Sequence, residues 1–267
     1  MRVLVCDGGG MRSAFTAGVF AGFRDSGIDH SFFDYYVGSS GGACCMAYFL
    51  TSQIDEGLRC WSEHLPGKFM KWDGIKPIND TEYLEQIFRT IEPLSCDKIK
   101  TAKQKAVVAL ADPVTLRTEY KILNESEDPV SLLVASAIMP FFSQPAILNG
   151  HPYYDENLIC AIPLRYTDLL KADEIWVILT QPQGYRRQNW RWQIASLFAG
   201  DKQASKLLSH RATVENEVLA EIEARKDLFI IRPEANLPIH WRNDSREAIK
   251  ATIELGRQAT KTALVKL

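Results

Sequence analysis

No apolar run in the chain approaches the ~18–20 residues that a membrane-spanning helix needs. The longest candidate, Ala43 to Leu50, reads as a buried helix. Excess positive charge is missing too: 31 Lys and Arg stand against 33 Asp and Glu, a net charge of −2. That leaves no field to attract nucleic acid, and none is expected as a partner. The six cysteines show neither the C-x-x-C pairs of a zinc site nor a secreted disulfide framework. They read as small buried hydrophobes in a reducing compartment. H-E-x-x-H, an acidic calcium loop and a P-loop are all absent, so no metal and no cofactor is expected. The start, Met1-Arg2-Val3-Leu4-Val5-Cys6-Asp7, reaches an acid too soon for a signal peptide, which predicts a cytoplasmic protein. Repeats and low-complexity stretches are lacking as well.

What remains is an ordinary globular composition, 267 residues with 46% hydrophobic and 24% charged, enough to bury a large core. Strand-like and helix-like pieces alternate. Val3 to Cys6 is an apolar strand ending in Asp7-Gly8-Gly9-Gly10, and Phe15, Val19 and Phe23 recur at helical spacing from Ser13 to Asp25. Phe33 to Val37 reads as a second strand, ending in Gly38-Ser39-Ser40-Gly41-Gly42 before an apolar helix from Ala43. Asn79 and Glu82 suggest a capping box for a helix through about Thr90. Strands follow at Lys105 to Ala111 and Leu116 to Leu123, then a helix from Val130 to Met139 closed by Pro140. Asn149-Gly150 is the strongest hairpin signal, and Glu174 to Leu179 is another buried strand. Gln181 to Gly200 breaks the pattern as a linker or lid. A long helix from Gln203 to Arg225, a strand at Leu228 to Ile231 and a helix from Ser245 complete the chain. This order predicts an α/β fold with a largely parallel sheet and a helical C-terminal part.

Gly38-Ser39-Ser40-Gly41-Gly42 fits G-x-S-x-G, a sharp strand-to-helix turn that lifts the Ser40 hydroxyl into the open. Gly38 and Gly42 remove the Cβ atoms that would collide there, and the following helix turns its positive end to the serine. The run Gly8-Gly9-Gly10-Met11-Arg12-Ser13 is a nest of backbone N–H groups. As a dinucleotide fingerprint it ends in Ser13 rather than glycine, with Asp29 near the ribose-binding distance. As an oxyanion hole it accounts for Ser40 too, since adjacent parallel strands bring both turns to one end of the sheet. For a base, the order Ser40, Asp155, His240 permits a triad. His210 sits among charged neighbours in a helix, and lone histidines read more readily as structural.

Taken together, these motifs resemble the patatin-like phospholipase family. The likeness rests on Asp7-Gly8-Gly9-Gly10-Met11-Arg12, Gly38-Ser39-Ser40-Gly41-Gly42, Ala135-Ser136-Ala137-Ile138-Met139-Pro140-Phe141-Phe142 and Tyr153-Tyr154-Asp155, in that order. It implies a three-layer α/β sandwich with an acyl-hydrolase core over residues 3–170, and 171–267 adding strands and helices to the same globule. It also implies a Ser40–Asp155 dyad without histidine, oxyanion donors from Gly8, Gly9, Gly10 and Arg12, and an acyl-enzyme on Ser40. The implied substrate is a lipid carboxyl ester, as for a phospholipase A or lysophospholipase.

Two departures from the family pattern stand out. Glu156-Asn157 follows Asp155 where the family carries glycine, and Ser13 replaces a glycine of the first loop. Glu156 would raise the pKa of Asp155 if both were desolvated. A soluble esterase or thioesterase with the same dyad is the enzymatic alternative. A non-catalytic acyl-binding member, its base spoiled by Glu156 and Asn157, is the other. Tyr185 to Trp192 mixes arginines with aromatics, reading either as a solvated loop or as a peripheral contact with the inner membrane face. Phe69, Met70, Trp72, Phe141 and Phe142 are candidates for an acyl channel or for core. Oligomeric state leaves no mark in the sequence.

Overall fold

The computed structural model describes residues 1–73, 76–141, 143–197, 199, 201–239 and 245–265, leaving aside the side chains of 70–73 and 76–78. In chain order the first half runs β1 (Arg2–Cys6), α1 (Ala14–Asp25), β2 (Tyr35–Gly38), α2 (Ser40–Leu50), α3 (Ile54–Arg59), β3 (Met70–Asp73) and β4 (Lys76–Asn79). Then come α4 (Thr81–Gln86), α5 (Cys96–Thr101), β5 (Lys105–Asp112), β6 (Arg117–Ile122), α6 (Pro129–Ala135), β7 (Ala146–Leu148) and β8 (His151–Asp155). The chain ends with α7 (Tyr166–Leu170), β9 (Glu174–Ile178), α8 (Asn189–Ser196), α9 (Lys202–Ala224), β10 (Leu228–Ile231) and α10 (Arg246–Leu264).

Eight strands form one sheet in the order β10-β9-β1-β2-β5-β8-β7, with β6 antiparallel on β5. The strands β10, β9, β1, β2 and β5 are parallel. Alternation along each strand sorts the core into two layers. Val3 and Val5 join Val37, Val107 and Val177 beneath Val218, Leu219 and Ile222 of α9. Leu4 and Cys6 turn to the opposite layer with Phe15, Phe23 and Met46, from α1 and α2. Across that layer α10 lies against α1 so closely that a Cβ on Gly256 would sit 2.2 Å from the Phe15 carbonyl oxygen. The expected three-layer α/β sandwich is therefore present, and β9 and β10 belong to the same sheet as β1.

One detail of register positions the site. Along β5, β2 pairs as far as Gly38 opposite Val108, while β8 pairs at Asp155 opposite Leu110. Since β6 occupies the other edge of β5, β2 and β8 share one edge and meet nearly end to end. The turn leaving β2 and the end of β8 are brought together by backbone pairing alone.

Several local expectations need correction. The fourth helix is capped by Asp80, whose carboxylate accepts the Tyr83 N–H at 2.8 Å, and not by Asn79. Helix α6 stops at Ala135 instead of Met139, and the Ile138 carbonyl accepts the Asp155 N–H at 2.8 Å. The apolar helix after β2 starts at Ser40 rather than Ala43. The stretch 181–200 contains α8, whose apolar side chains are at helical spacing but largely exposed, so the pattern lacked a buried face. The β3–β4 hairpin had no clear signal.

Candidate active site

Ser40 is the first residue of α2 and has φ of 50°, a left-handed conformation rarely accepted by a residue with a Cβ. Strain of this kind persists only where the surroundings impose it, and here they do. A Cβ on Gly42 would lie 2.3 Å from the Asp7 carbonyl oxygen, and one on Gly38 would lie 2.9 Å from the Ala43 backbone. Both glycines of the motif are fixed by close backbone approach. The Ser39 hydroxyl donates to the Ala161 carbonyl at 2.7 Å and pins the other side of the turn.

The glycine-rich loop packs directly on this turn, so that a Cβ on Gly8 would stand 3.1 Å from the Ser40 Cβ. Its N–H groups have different duties. Gly8 donates to the Ala161 carbonyl at 2.8 Å, which shapes the loop and removes Gly8 from the expected oxyanion donors. Gly9 donates to the Ser13 hydroxyl at 3.2 Å, so the serine standing in for glycine buttresses the loop. Gly10 has φ of 55°, and among the described residues no acceptor takes its N–H or that of Gly41. The Arg12 guanidinium is half-buried and makes no ion pair among the described residues, leaving it free to meet an anion. Asp7 accepts from the Thr180 N–H and hydroxyl at 2.8 and 3.0 Å, tying the loop to the chain leaving β9. Burial pushes its carboxyl up to about 7, against the pull of those bonds and of Arg12.

Asp155 is buried, with the Ser40 hydroxyl close enough to favour its ionised form. Burial raises its pKa to about 6, opposed by the Asn157 N–H, the Ser40 hydroxyl, the Asn157 side chain and Arg211. Asn157 donates twice to the same carboxylate oxygen, from its backbone at 2.9 Å and from Nδ2 at 2.8 Å. The residue that looked like a spoiler holds the carboxylate in place. Glu156 turns away: its carboxyl accepts from the Thr118 hydroxyl at 2.6 Å and lines a cavity of about 200 Å³ under α9. Its own pKa is pushed well up by burial. The raised pKa of Asp155 therefore comes from desolvation, and not from Glu156 as expected.

Behind Asn157 stands a buried ionic network. Arg211 on α9 donates to the Asn157 Oδ1 at 2.9 Å, and its guanidinium stacks 3.9 Å from the Trp192 ring of α8. Glu215, one turn further, pairs with Arg187 and lies 3.7 Å from Arg211. Glu215 also accepts the Ala161 N–H at 3.4 Å, and Ala161 in turn receives the Gly8 N–H and the Ser39 hydroxyl. Desolvation, with Arg187 nearby, lowers the Arg211 guanidinium to about 9. Charge from the C-terminal third thus reaches both Asp155 and the loops around the serine.

The remaining expected residues divide plainly. His240 lies outside the described residues, as do Phe142 and the side chains of Met70 and Trp72. His210 is exposed on α9. Asp29 accepts the Ser31 N–H at 2.8 Å as a local cap, which accounts for it without a ribose. Phe69 is core, and Phe141 packs beside the cluster that includes Ile138 and Leu158. Asp112, Glu119 and His151 gather ligand atoms within 4.8 Å of one another. Glu119 is already engaged by Tyr153 and Lys121, and Asp112 is paired with His151 and accepts two backbone N–H groups, so both carboxylates have protein partners. Sequence reasoning missed Asp7, Arg187, Arg211 and Glu215. The acid ahead of the glycines was a signal for the first; the others stand in ordinary polar stretches without one.

With this geometry described, comparisons with known proteins add an independent line. A family model described as patatin-like phospholipase matches residues 4–155. An uncharacterised protein of Escherichia coli (strain K12), YjjU, is 24% identical over 271 residues, covering 95% of this chain and 74% of its own. Among solved structures, VipD from Legionella pneumophila superposes with a TM-score of 0.58 at 10% identity, covering 99% of this chain and 67% of VipD, a likeness of fold.

Proposed function

The chain belongs to the patatin-like phospholipase family of lipid acyl hydrolases, and we propose that it cleaves lipid carboxyl esters through a Ser40–Asp155 dyad. The observation that carries this reading is the left-handed turn at Ser40, brought by strand register to the end of β8 where the carboxylate of Asp155 is buried. Ser40 Oγ attacks the ester carbonyl while Asp155 takes its proton. The tetrahedral oxyanion is met by the N–H groups of Gly10 and Gly41 and by Arg12, with the N-terminus of α2 adding favourable potential. Collapse breaks the ester C–O bond, and Asp155 returns the proton to the departing alcohol. Water, deprotonated by Asp155, then releases the fatty acid from Ser40 and restores the serine. An aspartate raised to about 6 is a better base than a free one and is still ionised at neutral pH. Residues 3–170 supply the chemistry in this scheme, and 171–267 supply the charged backing of Asp155.

The test is labelling by a fluorophosphonate probe, wild type beside Ser40→Ala and Asp155→Asn, with the adduct mapped by mass spectrometry. A Ser40 adduct that disappears in the first variant and slows at least roughly 100-fold in the second supports the dyad. No adduct, where a known serine hydrolase reacts, would sink it in favour of the acyl-binding alternative.

A further inference from the structure

The end of the sheet that holds Ser40 also carries an unusual share of exposed apolar side chains. On α8, Trp190 and Ile194 are 57% and 49% exposed, and Leu197 just past its end is 78% exposed. At spacings of four and three they form one stripe, while Trp192 and Ser196 turn inward. Val114, in the turn after β5, and Ile147, on β7, are each 62% exposed. The β5 turn and the β7–β8 hairpin both project past the C-terminal end of β5, and the chain leaving β9 reaches α8 at that same end. Leu116, Ala146, Trp192 and Ala199 join one apolar cluster that ties these pieces together.

Charge gathers in the same stretch of chain. Residues 185–206 contain Arg186, Arg187, Arg191, Lys202 and Lys206 against the single acid Asp201, in a chain whose net charge is −2. Arg186 and Arg187 are engaged by Glu223 and Glu215. Arg191, Lys202 and Lys206 are exposed and make no ion pair among the described residues. The Arg191 guanidinium stands 5.3 Å from the Trp190 ring, a cation beside an indole at the edge of the stripe. Exposed apolar side chains with unpaired cations beside them are what a peripheral contact with an anionic lipid surface uses. Among the described residues no helix is long and apolar enough to cross a membrane, so the contact is peripheral.

We propose that α8 is an interfacial anchor that docks this end of the molecule on a lipid surface rich in anionic headgroups. The proposal deepens the hydrolase reading, on which it rests for its purpose, by naming the physical form of the substrate. Its inner side, through Trp192 on Arg211, keeps the anchor in contact with the residues behind Asp155.

The experiment is co-sedimentation of the Ser40→Ala protein with vesicles of phosphatidylcholine alone or mixed with phosphatidylglycerol. A protein that cannot form an acyl-enzyme reads docking without turnover. Binding to the mixed vesicles is expected to be roughly tenfold or more tighter than to phosphatidylcholine alone. Ile194→Glu with Leu197→Glu should weaken it by roughly 100-fold. Arg191→Glu with Lys202→Glu should erase the preference for the mixed vesicles, and keeps the question open to measurement should the first pair fail to fold. Failure of the parent to sediment, equal binding to both vesicles, or full binding by the stripe variant would each overturn the proposal. So would a dimer in sedimentation velocity that the stripe variant splits, since the face would then belong to a second copy. Docking without fluorophosphonate labelling would remove the hydrolase reading alone; labelling without docking would remove the anchor alone.

Discussion

The two halves of the candidate site are held in different ways. Around Ser40 the constraints are steric and nearly all local: Gly38, Ser39 and Gly42 flank it, and Asp7 and Gly8 press in from the neighbouring strand. Around Asp155 they are electrostatic and distant, because Asn157 is oriented by Arg211 from 54 residues away, itself backed by Glu215, Arg187 and Trp192. A nucleophile needs its atom presented at a fixed angle, which backbone shape supplies. A base needs its proton affinity set, which requires a buried environment with chosen charges. One half should therefore break when an atom is added, and the other when a charge or donor is removed.

Asp155→Asn should give the largest effect on rate and an opposite effect on stability. Loss of the base is expected to slow ester hydrolysis by roughly 100- to 10,000-fold. The folded pKa of about 6 lies above the reference 3.8, so the stabilising contribution is complete below pH 3.8 and lost as pH rises through 6. At pH 8 ionisation costs about 3 kcal/mol, which asparagine avoids while still accepting both Asn157 bonds. Denaturant melts should show the variant more stable at pH 8 and little changed at pH 4. An equal gain at both would break the electrostatic account of this half.

Gly42→Ala tests the steric half. The added methyl must displace the Asp7 carbonyl, 2.3 Å from its ideal position, with no flexible side chain there to yield. We expect a loss of roughly 2–4 kcal/mol in stability. Fluorophosphonate labelling should fall with it even under conditions where circular dichroism reports a folded protein. A stable variant that labels normally would show that the turn has slack, and the contrast between the halves would fail.

Asn157→Ala should act on the base alone. It removes one donor from Asp155, leaves the backbone N–H in place and strips Arg211 of its acceptor. The carboxylate loses stabilisation, so its pKa rises further above 6. The acid limb of kcat/KM, expected near pH 6 in the wild type, should move up by about half to one unit, with the alkaline plateau lowered roughly threefold to tenfold. A lower plateau with an unmoved limb would make Asn157 a matter of packing rather than of proton affinity.

This division also sets what was legible beforehand. Local backbone demands leave local marks, so the turn at Ser40, the glycine loop and the Asn149-Gly150 hairpin could be read directly, the last with φ of 50° and 80°. The parallel core strands were legible because burial on both faces requires continuous apolar runs such as Val3 to Cys6. The backing of Asp155 left no such trace, since Arg211 and Glu215 are the two buried charges on a helix whose other polar residues are not buried. The part Asn157 plays was hidden for the same reason: a residue that departs from a glycine pattern shows its two bonds to Asp155 only in the fold. Helix α8 was passed over because its apolar stripe faces outward, where no core confirms it.

Glu156→Gln should produce the smallest change, and it probes the boundary of the base's environment. Glu156 is next to Asp155 in sequence, but the 3₁₀ turn over Glu156–Leu158 sends its side chain to Thr118 and the cavity beneath α9. Burial raises its pKa well above the ordinary value, which favours the neutral form. Glutamine keeps the shape and still accepts the Thr118 hydroxyl. Activity should stay within roughly twofold and the acid limb should not move. A limb displaced downward would mean that Glu156 carries a charge felt by Asp155, and the distant cations would then be balancing two carboxylates rather than one.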